Sequence, residues 1–239
     1  MPNRIERFYT EFNNLHDALQ EQTNSNSDFF TLLKELEEHP VIRLYKDELH
    51  IIRKLRNLLI HEKKTIDYDV AMPSEKTVEQ LTFIREQFVQ PSTAGEHFSR
   101  KVFCFNRTDS IERLLYFVGQ KSLYQFPIFN EEGLEGIISH SGITNWFAHN
   151  YKDDKVDLTD VVISDLIIEE DSFFQYEVVS PDTSLFLIEK MFTRNLLVGR
   201  SQYIILLSEK ETIEHWDDLK GIITPWDLPE VLSLIHYEY

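Results

Sequence analysis

Gly221-Ile222-Ile223-Thr224-Pro225-Trp226-Asp227-Leu228 sets a hydroxyl and a carboxylate three positions apart. The stretch reads as the end of a buried strand, a short turn and the start of a helix. Gly221 suits a strand packed closely against other backbone. Pro225 suits the first helical position. Thr224 and Asp227 then face one small polar ligand: the hydroxyl and the helix-start amides suit a phosphate, and the carboxylate suits the two hydroxyls of a ribose. The same pair also suits a helix cap, with Thr224 as N-cap and Asp227 at N3 closing a capping box. Eight residues alone leave both open.

An earlier copy of the pattern stands at Gly136-Ile137-Ile138-Ser139-His140-Ser141-Gly142-Ile143, with Ser in place of Thr and Gly in place of Asp. The repetition extends upstream. Asp109-Ser110-Ile111 and Thr183-Ser184-Leu185 each begin a helical pattern. Phe126–Phe129 and Tyr203–Leu207 are apolar strands. Each copy runs strand, helix, strand, turn, strand, helix, which predicts two similar modules packed together.

Over about residues 100–239 the chain resembles a tandem pair of CBS domains, a Bateman module. The glycine, two apolar residues, Thr or Ser, two residues, Asp pattern carries the resemblance, and the second copy holds it whole. The resemblance implies a regulatory module, usually a dimer of pairs, that binds adenosine-containing ligands in the cleft between the repeats. It assigns phosphate and ribose contacts to Thr224 and Asp227, and a hydroxyl in the matching place to Ser139. Gly142 cannot hold a ribose, so one complete site per chain is expected. AMP, ATP, a cyclic dinucleotide and S-adenosylmethionine share the adenosine and are not separated by these residues. No metal is expected.

A second constellation is Arg56-Asn57-Leu58-Leu59-Ile60-His61, late in a long helical pattern. His61 suits a general base or acid near neutral pH, and Arg56 suits charge on a phosphate in flight. Asn57 and His61 share a helix face, whereas Arg56 lies about 140° around from His61. The motif, with the Pro-started helix after it, resembles HEPN domains over about residues 4–90. These are all-helical bundles, often dimeric, and many are metal-independent endoribonucleases. Arg56 and His61 equally suit a dimer interface or the cation-favouring end of a helix.

Net charge bears on that choice. The chain of 239 residues carries a formal −17, which repels nucleic acid and anionic membrane at long range. Residues 91–239 hold 12 Lys+Arg against 25 Asp+Glu, a net −13, and residues 1–90 hold 12 against 16, a net −4. RNA is therefore disfavoured as a partner. Residues 43–64, with seven Lys+Arg against three Asp+Glu, leave a local approach open. Cys104 is the single cysteine, which excludes an intrachain disulfide; its apolar run predicts a buried thiol. No run reaches the ~18 apolar residues of a spanning helix, and the charged N-terminal stretch lacks the apolar region of a signal peptide. A cytoplasmic protein is expected.

The elements that must position these residues follow from periodicity. Ile5, Phe8, Phe12, Leu15 and Leu19 make one helical stripe over 4–20. Phe30, Leu33 and Leu36 mark a helix over 28–38, and Tyr45, Leu49, Ile52 and Leu59 mark one from 41 to about 63. Val78, Leu81, Ile84 and Phe88 mark a fourth between Pro73 and Pro91. Four helices with short loops predict a bundle. In the repeat half, strands are predicted at 102–105, 125–129 and 134–139. Helices are predicted at 109–118, closed by Gly119, at 141–149 and at 183–192. Residues 151–175 read as a connector, and 208–218 as a surface excursion.

The predicted fold is multi-domain: an N-terminal all-α bundle over 1–92, then an α+β tandem CBS pair with repeat 1 at 98–150 and the linker and repeat 2 at 151–239. The expected function is a regulator that senses an adenosine-containing nucleotide and changes the state of a dimeric helical domain. The alternative is a CBS-gated, metal-independent endoribonuclease acting through Arg56, Asn57 and His61. A bundle that only docks a protein partner is a third possibility.

Overall fold

The computed structural model describes residues 3–62, 71–121, 125–169, 176–200 and 203–237. The chain is multi-domain, a helical N-terminal region followed by two α+β copies. It divides into two compact units: residues 1–92 with 184–187 and 230–239, and residues 93–183 with 188–229.

In the first unit, α1 (Arg4–Thr23) opens on a capping box between Asn3 and Glu6. Its predicted stripe of Ile5, Phe8, Phe12, Leu15 and Leu19 is buried. Asp28 caps α2 (Phe29–Glu35) through the amides of Phe30 and Thr31. Ser74 caps α5 (Glu75–Val89), whose Val78, Leu81, Ile84 and Phe88 are buried. Arg85 of α5 binds Glu11 of α1 at 2.7 Å, tying the two helices across their shared apolar seam.

The helix expected from 41 to about 63 is two helices, α3 (Pro40–Leu44) and α4 (Lys46–Glu62). The chain leaves helical geometry at Tyr45 (φ −104°, ψ 23°). The Tyr45 hydroxyl donates to the Ile235 carbonyl at 2.6 Å and accepts from the Tyr237 amide at 2.9 Å. A buried phenol needs such partners. These lie about 190 positions away, so no local pattern announces the break. Residues 63–70, expected to end the helix and begin a connector, lie outside the described residues.

In the second unit, Thr93 and Glu96 close a capping box on α6 (Ala94–Phe98). The first copy then comprises β1 (Phe105–Asn106), α7 (Ile111–Lys121), β2 (Gln125–Asn130), β3 (Gly133–Ser139) and α8 (His140–Asn150). The predicted strand at 102–105 is therefore two residues long and begins at its far end. α7 runs through Gly119 instead of stopping there. The connector contains α9 (Ile163–Glu169), whose Ile163 and Leu166 join the core of the first copy. Residues 170–175 lie outside the described residues.

The second copy comprises β4 (Tyr176–Val179), α10 (Leu185–Leu197), β5 (Ile204–Ser208), β6 (Leu219–Ile223) and α11 (Leu228–Ile235). In each sheet the first strand pairs parallel to the second, and the second pairs antiparallel to the third. The copies match in register. Gly136 pairs with Ile128 and Gly221 with Leu207, and the second strand is irregular just after each of these partners, at Ile128/Phe129 and at Leu207/Ser208. The repeat seen in the sequence is thus a repeat of structure, down to the position of a bulge.

One apolar cluster joins the copies. Phe129 and Ile137 of the first pack with Ile204, Leu206 and Leu219 of the second. Ile213, in the segment between β5 and β6, belongs to the same cluster, and its carbonyl accepts from the Leu134 amide at 2.9 Å. The predicted excursion is therefore anchored at its middle.

Candidate functional site

β6 ends at Ile223, and Thr224 continues extended (φ −120°, ψ 167°) before a single 3₁₀ turn, Pro225–Asp227, leads into α11. That turn brings the two predicted residues together. The Thr224 amide and hydroxyl both donate to Asp227 Oδ2, each at 2.8 Å. The Asp227 amide donates back to the Thr224 carbonyl at 2.9 Å. Thr224 is buried, and the Asp227 side chain is 15 % exposed. The capping arrangement is therefore present. It also holds the carboxylate in one orientation, as a binding group requires.

Arg100 completes this arrangement. Its Nη2 donates to Asp227 Oδ1 at 3.0 Å and to the Ile222 carbonyl at 3.1 Å, and its own amide donates to the Lys220 carbonyl at 2.9 Å. A carboxylate offers about four acceptor positions. Thr224 takes both on Oδ2 and Arg100 takes one on Oδ1, which leaves one. A ribose diol needs two, so it must displace Arg100 from Oδ1 or share the carboxylate with it. The Arg100 side chain is half exposed, so its release costs little desolvation. Sequence patterns missed Arg100 because nothing links residues 127 positions apart.

In the first copy Ser139 occupies the matching turn (φ −108°, ψ 169°) and is buried. Its hydroxyl accepts from the Gly142 amide at 3.0 Å and shares a hydrogen bond with Ser141 at 2.7 Å. The cap is retained without a carboxylate. A cap alone thus does not require Asp at the fourth position.

Close backbone approach explains Gly221. A Cβ there would strike the Phe98 carbonyl. The same addition at Gly136 meets nothing within 4 Å, so the two glycines of the repeat are not kept by the same constraint.

In the helical unit, Arg56 and Asn57 lie next to each other on α4, joined by a bond of 3.3 Å from Arg56 Nη1 to Asn57 Oδ1. The Arg56 guanidinium stands 5.5 Å from the Phe12 ring centroid, and its Nε is buried without a hydrogen-bond partner. It lies against Phe12 of α1. The side chain of His61 lies outside the described residues. Among the described residues no group of three or more His, Cys, Asp or Glu side chains is placed to hold a metal ion, and no helix is long and apolar enough to cross a membrane.

No family model matches the chain, and no curated protein matches it. Solved structures similar to it include a CBS domain-containing protein of unknown function from Kribbella flavida DSM 17836, with 13 % identity over 60 % of this chain and 99 % of that one and a TM-score of 0.44. The CBS domain of a bacterial CNNM/CorC family Mg2+ transporter has 13 % identity over 78 % of this chain and 98 % of its own, with a TM-score of 0.44. A CBS domain pair solved in complex with 5-methylthioadenosine and S-adenosyl-L-methionine has 13 % identity over 60 % and 97 %, with a TM-score of 0.42.

Proposed function

We propose that the two α+β copies are a CBS pair that senses an adenosine-containing ligand in a cytoplasmic regulatory protein. Thr224 and Asp227 meet the ligand's phosphate and ribose, and Ser139 supplies the hydroxyl of the first copy. The observation that carries this is the fixed Asp227 carboxylate in the second of two copies that match in register. Its place at the strand-to-helix turn is where the sequence resemblance puts a ribose contact, and the first copy shows that capping alone is satisfied without it. The helical unit is proposed as a HEPN-like domain that forms a homodimer and carries the output. A ligand shifts that output only by preferring one of two arrangements. The described geometry of Arg56 and Asn57 offers nothing in favour of the endoribonuclease alternative.

The test is a titration of the full chain with AMP, ATP, cyclic dinucleotides and S-adenosylmethionine by thermal shift, followed by calorimetry on any hit. At 100 times its dissociation constant a ligand adds about 2.7 kcal/mol. Asp227→Ala should weaken the hit by ~1–3 kcal/mol, the worth of a charged hydrogen bond. Affinity is compared directly, because the substitution also removes a helix cap. No response to any of the panel, or wild-type affinity in the variant, would remove Asp227 from a nucleotide site.

A further inference from the structure

In the helical unit, α2, α3 and α4 leave a small cavity of about 180 Å³, with Phe30, Leu33 and Ile42 as its apolar lining. Lys34, Lys46 and His50 also line it, against one acid, Glu37. The cations of α4 form one stripe. Lys46, His50 and Arg53 are spaced four and three apart, so they share a helix face. Asp47 and Glu48, the acids of the first turn, stand about 100° and 200° around the helix from Lys46. In a chain of net −17 this face is a local reversal of sign.

Phe30 gathers these charges. Its ring is half-buried, while Phe29, Leu32 and Leu33 carry the burial of α2. The Lys34 ammonium stands 4.5 Å and the Arg53 guanidinium 4.6 Å from the centroid of that ring. The His50 ring packs against it at 5.8 Å. A ring face attracts cations, but it is neutral and leaves their charge unbalanced. Among the described residues, Lys34, Lys46, His50 and Arg53 make no ion pair and no side-chain hydrogen bond. Arg53 Nε is buried with no acceptor, so the guanidinium is held by the ring and not by a carboxylate. Like charges drawn to one ring oppose each other, and an anion between them relieves this.

We propose that this cavity binds a short-chain phosphate monoester. Its dianion meets Lys34, Lys46 and Arg53, and His50 can donate one ring N–H in either tautomer. Its stem lies on Phe30, Leu33 and Ile42. The cavity is smaller than the ~300 Å³ at which sites for larger ligands begin, which excludes a whole nucleotide. The site lies wholly in the helical unit and is independent of Thr224 and Asp227.

n-Propyl phosphate is the probe, titrated into the full chain at pH 7.5, where it is mostly a dianion. Ionic strength is held constant. The ring-proton signal of His50 is followed by NMR and identified by its loss in His50→Gln. It should move saturably with a dissociation constant in the millimolar range, and a second series at higher salt should raise that constant. Lys34→Gln with Lys46→Gln should weaken binding at least tenfold. Lys152→Gln with Lys155→Gln removes the same charge from the other unit and should weaken it less than twofold. All four lysines are exposed, and Gln forms helix about as well as Lys, so both double variants keep the fold. The proposal is overturned if the His50 signal stays in place at about 10 mM propyl phosphate, beyond the range of a millimolar site. It is equally overturned if n-propanol moves that signal as strongly, or if the two double variants weaken binding alike. Single-stranded RNA with hydroxyl ends offers phosphodiesters only and should not displace the probe. Displacement at roughly 0.1 mM RNA, the weak end of non-specific nucleic-acid binding, would make this face a nucleic-acid surface and overturn the proposal too.

Discussion

Arg100 Nη2 lies 3.0 Å from Asp227 Oδ1, joining the chain that leaves α6 to the turn that starts α11. The same carboxylate holds the amide and hydroxyl of Thr224. These two attachments differ in worth. The Thr224 amide belongs to a buried residue, so losing its acceptor leaves a donor stranded. The Arg100 guanidinium is half in water and can exchange partners. Asp227→Ala should therefore destabilise the second unit by ~1–2 kcal/mol, whereas Arg100→Ala should cost about 1 kcal/mol or less. Urea denaturation of both variants decides this. A larger loss in Arg100→Ala than in Asp227→Ala would show that the ion pair outweighs the cap.

The two glycines at matching places in the repeat give a paired prediction. Gly221→Ala drives a methyl into the Phe98 carbonyl, part of the backbone, which cannot move aside as a side chain can. Gly136→Ala places its methyl in open space. The first should cost more than ~2 kcal/mol, in the range of overpacked core sites. The second should stay within about 0.5 kcal/mol of wild type. Equal midpoints in chemical denaturation for the two variants would mean that strand β6 can shift away from Phe98 at little cost.

Helix positions and the repeat were legible because both are local. The stripe from Ile5 to Leu19 needs only a period of 3.6, and it is buried. The paired Gly-Ile-Ile strings marked the two sheets, and their registers agree. What escaped depended on distant partners. The break at Tyr45 follows from bonds to Ile235 and Tyr237. α9 passed for linker because it is only seven residues long and lies among acidic ones, so the burial of Ile163 and Leu166 against the first copy is what reveals it. In the candidate site, Thr224 and Asp227 were legible as a spacing of three. Arg100 was not, since its acceptors at Ile222 and Asp227 lie 122 and 127 positions away. Gly119 looked like a helix stop, yet α7 passes through it with nothing within 4 Å of its missing Cβ.

His39 gives the helical unit a pH dependence. It precedes Pro40 at the start of α3 and packs against Phe88 with ring centroids 4.8 Å apart and the planes tilted by 51°. Burial holds its pKa below the ordinary value of 6.5, and Nδ1 is buried with no hydrogen-bond partner. The unfolded chain thus binds the proton more readily than the folded one. The stability from keeping this ring neutral is fully present above pH 6.5 and is lost as pH falls through the lower folded-state pKa. His39→Phe keeps a ring without a titrating nitrogen. Between pH 7.5 and 5.0 the wild type should lose more stability than this variant, measured by urea midpoints at each pH. Equal losses would assign the acid sensitivity to other groups.

Cys104 should be inert in the folded protein although it lines a cleft with Arg100, Lys101, Arg113 and Lys220. Only a thiolate attacks alkylating reagents, and nearby cations ordinarily favour it. Here burial dominates: Cys104 is 8 % exposed, it packs with Phe129, Ile137 and Leu206, and its pKa is pushed up to about 12. Burial opposes the charged form. Iodoacetamide at pH 7.5 should therefore label the native chain at least 100-fold more slowly than the chain in urea, the expected result for a thiol more than two pKa units above its free value. Mass spectrometry of the time course reads this directly. Labelling of the native protein at the rate of a free thiol would show that the sulfur reaches the cleft and that the cluster joining the two copies opens there.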